Sequence, residues 1–127
     1  MFVIDPRSSK AIYEQIVDAV KEQVWKGILK AGDKMPSVRE MASLLTINPN
    51  TVSKAYQELE REKVIETLRG KGTFVCQVQV KRVDKEKMEE LYKNLKNICI
   101  ELHYMGLDEK DIEEQVNKIL KELRGEG

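Results

Sequence analysis

From Ile12 onward an apolar residue returns every fourth position: Ile12, Ile16, Val20, Val24 and Ile28, with Tyr13 beside them. That spacing predicts a helix with one face against a core. Ser8 or Ser9 is placed to cap its start, and Gly27 with "KAGDK" loosens the chain into a turn after it. Ahead of the helix, "FVI" (2–4) predicts a short strand that Asp5-Pro6 ends. In "MPSVREMASLL" Ser37 and Glu40 are spaced as a capping box, and Met41, Leu44 and Leu45 form the apolar side of a short helix. Asn48-Pro49 opens a further helix, because Asn caps well and proline fits the first helical position. Its stripe is Val52, Ala55, Tyr56 and Leu59, at i, i+3, i+4 and i+7.

After residue 63 the period changes. Val64-Ile65 and Thr73-Phe74-Val75 predict two strands around the turn "RGKG", a β-hairpin. "VQVKRV" (78–83) continues extended. The tail returns to helical spacing. Met88, Leu91, Leu95, Ile98, Leu102 and Met105 alternate steps of three and four, and so do Ile112, Val116, Ile119 and Leu123. Gly106 suits the left-handed position after the first tail helix, and Asp108 caps the second. The tail is expected to be an antiparallel helix pair with one apolar seam per helix.

Charge sharpens this picture. The 127 residues are 35% charged and carry 22 bases against 22 acids, with a pI near 6.6. A protein that holds nucleic acid by bulk charge is basic, so any such binding here must come from a local patch. Residues 1–80 carry 12 Lys/Arg and 10 Asp/Glu, net +2, and residues 81–127 carry 10 and 12, net −2. Within that mixture "TINPNTVSKAYQ" (46–57) holds no acid. The outer side of the helix that opens there offers Asn50, Thr51, Ser53, Lys54 and Gln57, and acids begin only at Glu58.

Helix, short helix, turn, polar-nosed helix and hairpin, in that order, make a winged helix-turn-helix. A major groove about 12 Å wide admits one helix, whose first residues reach base edges. Asn and Gln pair with adenine, while Ser and Thr meet a base or a phosphate. Asn48, Asn50, Thr51, Ser53 and Lys54 are therefore placed at the groove. Arg69, Lys71 and Gly72 bring cations and bare backbone N–H groups to the hairpin tip, where a phosphate or the minor groove suits them. Ser37 and Arg39 open the helix that crosses the backbone, and Lys34 ranks below them. "GKGT" is not a nucleotide loop, because Ile65 stands where the first glycine of that motif belongs.

The block "AGDKMPSVREMASLLTINPNTVSKAYQELEREKVIETLRGKGTFV" is similar to the DNA-binding domain of the GntR family of bacterial transcriptional regulators, over about residues 9–75. The resemblance implies that Arg39 is a DNA-contacting arginine of the first motif helix. It makes Asn50 and Thr51 polar contact positions and Gly72 the wing-tip glycine. Many members have Arg where this chain has Pro49 and Ser53. That departure weakens direct guanine reading. "INPNTVSKAYQELE" resembles the YtrA-type subfamily, whose members are short and end in a small helical tail. The resemblance implies a repressor.

The expected architecture is mainly α with a small β-hairpin: residues 1–78 a winged helix-turn-helix, and 79–127 a helical dimerisation tail. The seams must be covered. A second copy would cover them and present two polar-nosed helices about 34 Å apart, one turn of B-DNA, to an inverted-repeat operator. The partners expected are double-stranded DNA and a second copy of the chain, with room for a small-molecule effector near Tyr92 and Tyr104. Cys76 and Cys99 lack metal spacing, and His103 is the only histidine, four residues from Cys99. No nucleophile stands beside a base, so no enzyme, cofactor or metal is expected. The N-terminus is unlike a signal peptide, and no apolar run nears the roughly 20 residues that span a bilayer. A cytoplasmic protein is expected. A winged helix that binds another protein instead of DNA is the alternative.

Overall fold

The computed structural model describes residues 2–77 and 84–125. They form α1 (Ile12–Trp25), α2 (Val38–Leu45), α3 (Pro49–Arg61), β1 (Ile65–Leu68), β2 (Gly72–Val75), α4 (Lys85–Tyr104) and α5 (Glu109–Leu123). The chain divides into two compact units, Met1–Val80 and Lys81–Gly127. The extended run expected at 78–83 lies outside the described residues.

The first unit is assembled around α3. Its stripe of Val52, Ala55, Tyr56 and Leu59 is buried, as its spacing predicts. Against it lie Ile16, Val17 and Val20 of α1, Met41 and Ala42 of α2, and Ile65 and Val75 of the hairpin. Burial of such side chains contributes about 1.5–3 kcal/mol each. Polar contacts then set the geometry. The Tyr56 hydroxyl donates to the Pro36 carbonyl at 2.7 Å and so ties α3 to the start of α2. Burial, and after it the Glu40 carboxylate, push the Tyr56 phenol well above its ordinary range, which keeps the proton that makes this bond.

Local chemistry explains the helix ends. Ser37 Oγ accepts from the Glu40 N–H at 3.1 Å, and Glu40 Oε1 accepts from the Ser37 N–H at 3.3 Å, completing the capping box. Thr46 ends α2 in the left-handed conformation, with φ 55°, and the Ile47 N–H reaches back to the Ala42 carbonyl at 2.9 Å. This reversal brings α3 in across α2. Asn48 Oδ1 accepts from the Asn50 N–H at 2.8 Å, and Pro49 follows at the first helical position.

Several expectations are corrected. No strand forms at 2–4; Phe2 and Ile4 instead pack their side chains on the core. Neither Ser8 nor Ser9 caps α1, whose N-cap is Ala11. No side chain caps the helix; Gln15 instead ties down the segment before it, its amide donating to the Asp5 and Lys10 carbonyls, both at 2.9 Å, and its oxygen accepting from the Asp5 N–H at 2.8 Å. Ile28 lies past the end of α1 and is exposed, so the apolar stripe stops at Val24. Leu44 is also exposed, and Ala42 takes its place beneath α2.

The hairpin pairs Ile65 with Val75 and Leu68 with Gly72. A third segment joins it, which the sequence did not announce. Lys34 bridges Phe74, the Met35 N–H donates to the Thr73 carbonyl at 2.8 Å, and the Val75 N–H donates to the Asp33 carbonyl at 2.8 Å. Thr67 anchors the wing to α3 by donating to Glu60 Oε1 at 2.5 Å.

In the second unit Asp108 and Asp111 form a capping box at the start of α5, and Gly106 turns the chain with φ 99°. Within one chain α4 and α5 touch over only a short stretch, and neither helix buries a residue. The long seam-to-seam packing of a helix pair is not made by a single copy.

Candidate nucleic-acid interface

Helix N-termini favour acidic side chains, because the aligned peptide dipoles leave partial positive charge there. Four of the five helices follow this rule in their first turns: Glu14 in α1, Glu40 in α2, Glu86 in α4, and Glu109 with Asp111 in α5. Among the described residues α3 alone has no acid in its first turn. It forgoes a stabilisation of about 0.3–1 kcal/mol and leaves its N-terminal charge open to an external anion.

Over its first two turns the outer face of α3 is uncharged apart from one lysine. Asn48, Asn50 and Lys54 are exposed, while Thr51 and Ser53 flank the face half-buried. Gln57 is exposed one turn beyond Lys54 and belongs to the same face as Asn50. Its spacing from Asn50, i+7, was the available signal for including it. The Lys54 ammonium sits over the Tyr13 ring, 4.1 Å from its centroid. Such a contact is worth about 0.5–1 kcal/mol at an exposed site and holds a flexible cation in one region.

At α2, Ser37 is exposed but its hydroxyl is engaged in the cap, whereas Arg39 is exposed and makes no ion pair among the described residues. At the wing, Arg69, Gly70 and Lys71 form the loop, closed by the Lys71 N–H donating to the Leu68 carbonyl at 2.9 Å. Both cations are exposed and Gly72 is half-buried. Ion pairing separates two classes of base in this unit. Lys10, Lys21, Lys26 and Arg61 pair with Asp18, Glu62, Glu22 and Glu58. The unit's other bases, Arg7, Lys30, Lys34, Arg39, Lys54, Lys63, Arg69 and Lys71, make no ion pair among the described residues, and five of them, Lys34, Arg39, Lys54, Arg69 and Lys71, lie on or beside the helix-turn-helix and the hairpin. Cations left without a carboxylate, on the elements that carry the polar-nosed helix and the hairpin tip, suit a polyanion.

Other chemistry is thin. Burial first, and the Glu66 carboxylate second, push the Cys76 thiol up, so it stays protonated. No group of three or more His, Cys, Asp or Glu among the described residues is placed to hold a metal ion. His103 is exposed and stands edge-on to Tyr104, with ring centroids 5.4 Å apart. No described helix is long and apolar enough to cross a membrane.

The tail presents its expected seam to the outside. Met88, Leu91, Leu95, Ile98, Val116 and Ile119 are exposed, and Leu102, Ile112 and Leu123 are half-buried. Met105 lies at the C-cap of α4, 81% exposed, and Tyr92 and Tyr104 are exposed too. Monomeric proteins rarely leave so continuous an apolar surface open.

Residues 12–75 match the bacterial regulatory proteins of the gntR family. The HTH-type transcriptional repressor YtrA of Bacillus subtilis is 48% identical over 125 residues, spanning 98% of this chain and 96% of that protein. A solved structure of a transcriptional antiterminator from Listeria monocytogenes EGD-e superposes with a TM-score of 0.86 at 44% identity, covering 98% of this chain and 92% of the other. YtrA from Sulfolobus acidocaldarius, a GntR-family transcription factor, superposes with a TM-score of 0.56 at 34% identity, covering 94% and 97%.

Proposed function

The chain belongs to the gntR family of bacterial regulatory proteins, and from that premise we propose a DNA-binding transcriptional repressor that grips an inverted-repeat operator as a homodimer. It is a regulator and not an enzyme. The observation that carries the reading is the acid-free first turn of α3, set in one unit with bases that lack internal ion pairs. In the bound state α3 enters the major groove. Asn50 and Thr51 meet base edges, with Asn48, Ser53 and Lys54 beside them. Ser37 and Arg39 meet the backbone from the first motif helix, and Arg69, Lys71 and Gly72 do so from the wing. The seams of α4 and α5 cover each other between two copies, so that two α3 helices address half-sites about 34 Å apart. Residues 1–78 then bind the operator and 79–127 dimerise. The protein acts in the cytoplasm, where an operator overlapping a promoter is closed to polymerase.

Footprinting on DNA upstream of the protein's own gene tests this directly. A two-fold footprint whose halves lie one helical turn apart supports the reading. No footprint, together with no retention on random duplex at 50 mM salt, would leave a protein-binding winged helix instead. Lys54→Ala should weaken binding equally across operator and unrelated duplex, and should lower the salt slope by about one. Fluorescence anisotropy between 50 and 200 mM salt measures both.

A further inference from the structure

The wing carries a close contact beside its tip. Gly72 has φ +117°, and a Cβ placed there would lie 3.2 Å from Cε and 3.8 Å from Nζ of Lys34. The Lys34 stem therefore lies against Gly72, where a side chain would crowd it. Its backbone is held in place by the Phe74 bridge and by the Met35 and Asp33 hydrogen bonds on either side, each 2.8 Å. Residues directly opposite in neighbouring strands share a face, so Lys34, Phe74 and Glu66 lie in one row and Gly72 and Leu68 in the next, toward the loop. The stem thus carries its ammonium from the row of Phe74 toward Arg69–Lys71. No carboxylate takes it up: Lys34 makes no ion pair among the described residues, and the adjacent Asp33 accepts from the Lys30 N–H at 2.8 Å.

We propose that Lys34 is a third phosphate-contacting cation of the wing, and that position 72 is glycine partly to seat its stem. The proposal rests on the DNA-binding reading above and adds a contact from a segment outside the hairpin. An unoriented lysine gives up rotamer entropy when it is fixed on a phosphate. A stem already lying across Gly72 has lost part of that freedom before DNA arrives.

The test is the salt dependence of binding to operator and to scrambled duplex. Lys34→Met keeps the stem and removes the charge. It should lower the slope of log K against log salt by about 0.9, equally on both duplexes, with an unchanged melting temperature. Lys34→Gln serves the same purpose should methionine alter folding. Lys71→Met is the reference. If it lowers the slope by about 0.9 and Lys34→Met and Lys34→Gln do not, the Lys34 contact is wrong while the DNA reading stands. If the parent binds neither duplex, or binds without salt dependence, the DNA reading fails and this proposal with it.

Discussion

Glutamate at both Leu95 and Ile98 is expected to turn the protein into a monomer and to weaken operator binding by about 10²–10⁴-fold, the avidity that links two half-site contacts. The two side chains are 50% and 52% exposed in the single chain, and they sit at the middle of the α4 seam. Covering such side chains contributes about 1.5–3 kcal/mol each, and a charge in their place would have to be buried unpaired. If no second copy covers the seam, the same substitutions merely replace exposed leucine and isoleucine and change stability by less than about 0.5 kcal/mol. Sedimentation of both proteins, followed by anisotropy on the operator, separates the cases. A variant that remains dimeric, or binds as tightly as the parent, contradicts the assignment of the tail.

Leu59→Ala acts on the other unit. Leu59 is fully buried in the core that also holds Ile65 and Val75. Truncation of a buried leucine costs about 2–5 kcal/mol, part transfer and part cavity. Folded domains of this size are stable by about 5–15 kcal/mol, so much of the margin is spent. The melting temperature of the winged unit should fall by about 10 °C or more. DNA binding should be lost in parallel with folding on heating and retained at low temperature, because Leu59 lies on the face of α3 away from the proposed groove contacts. Circular dichroism melts beside binding curves at two temperatures check both statements.

These expectations could be framed early because some features follow from chain-local rules. The i, i+3, i+4, i+7 stripe of α3, the Ser37–Glu40 box and the Gly106 turn each depend on residues within a turn or two, and the structure contains all three. What escaped was decided at longer range. Gln15 fixes the segment before α1 by reaching back ten residues to Asp5, and the helix starts after Ala11 without a side-chain cap. "FVI" has strand propensity but no strand beside it to pair with, so its side chains join the core without a sheet. In the eight-residue α2 two apolar phases were open, and packing against α3 chose the one that buries Ala42. The bridge from Lys34 to Phe74 spans forty residues of sequence and left no local mark. In the candidate site, residue types were legible from the missing acids. The placement of Lys54 over Tyr13 and of Lys34 over Gly72 was not, because each joins separate elements.

On the DNA-binding reading, α3 lacks an acid at its start because DNA occupies that position. Asn50→Asp tests it with almost no change of shape. An aspartate in the first turn of α3 should favour the helix dipole and raise stability by about 0.3–1 kcal/mol. The same charge would face phosphates and base edges. Measured together on one protein, urea denaturation should show equal or greater stability while operator and random-duplex binding are both lost. An Asn50→Asp protein that folds as predicted and still binds DNA like the parent would show that this surface meets something other than DNA.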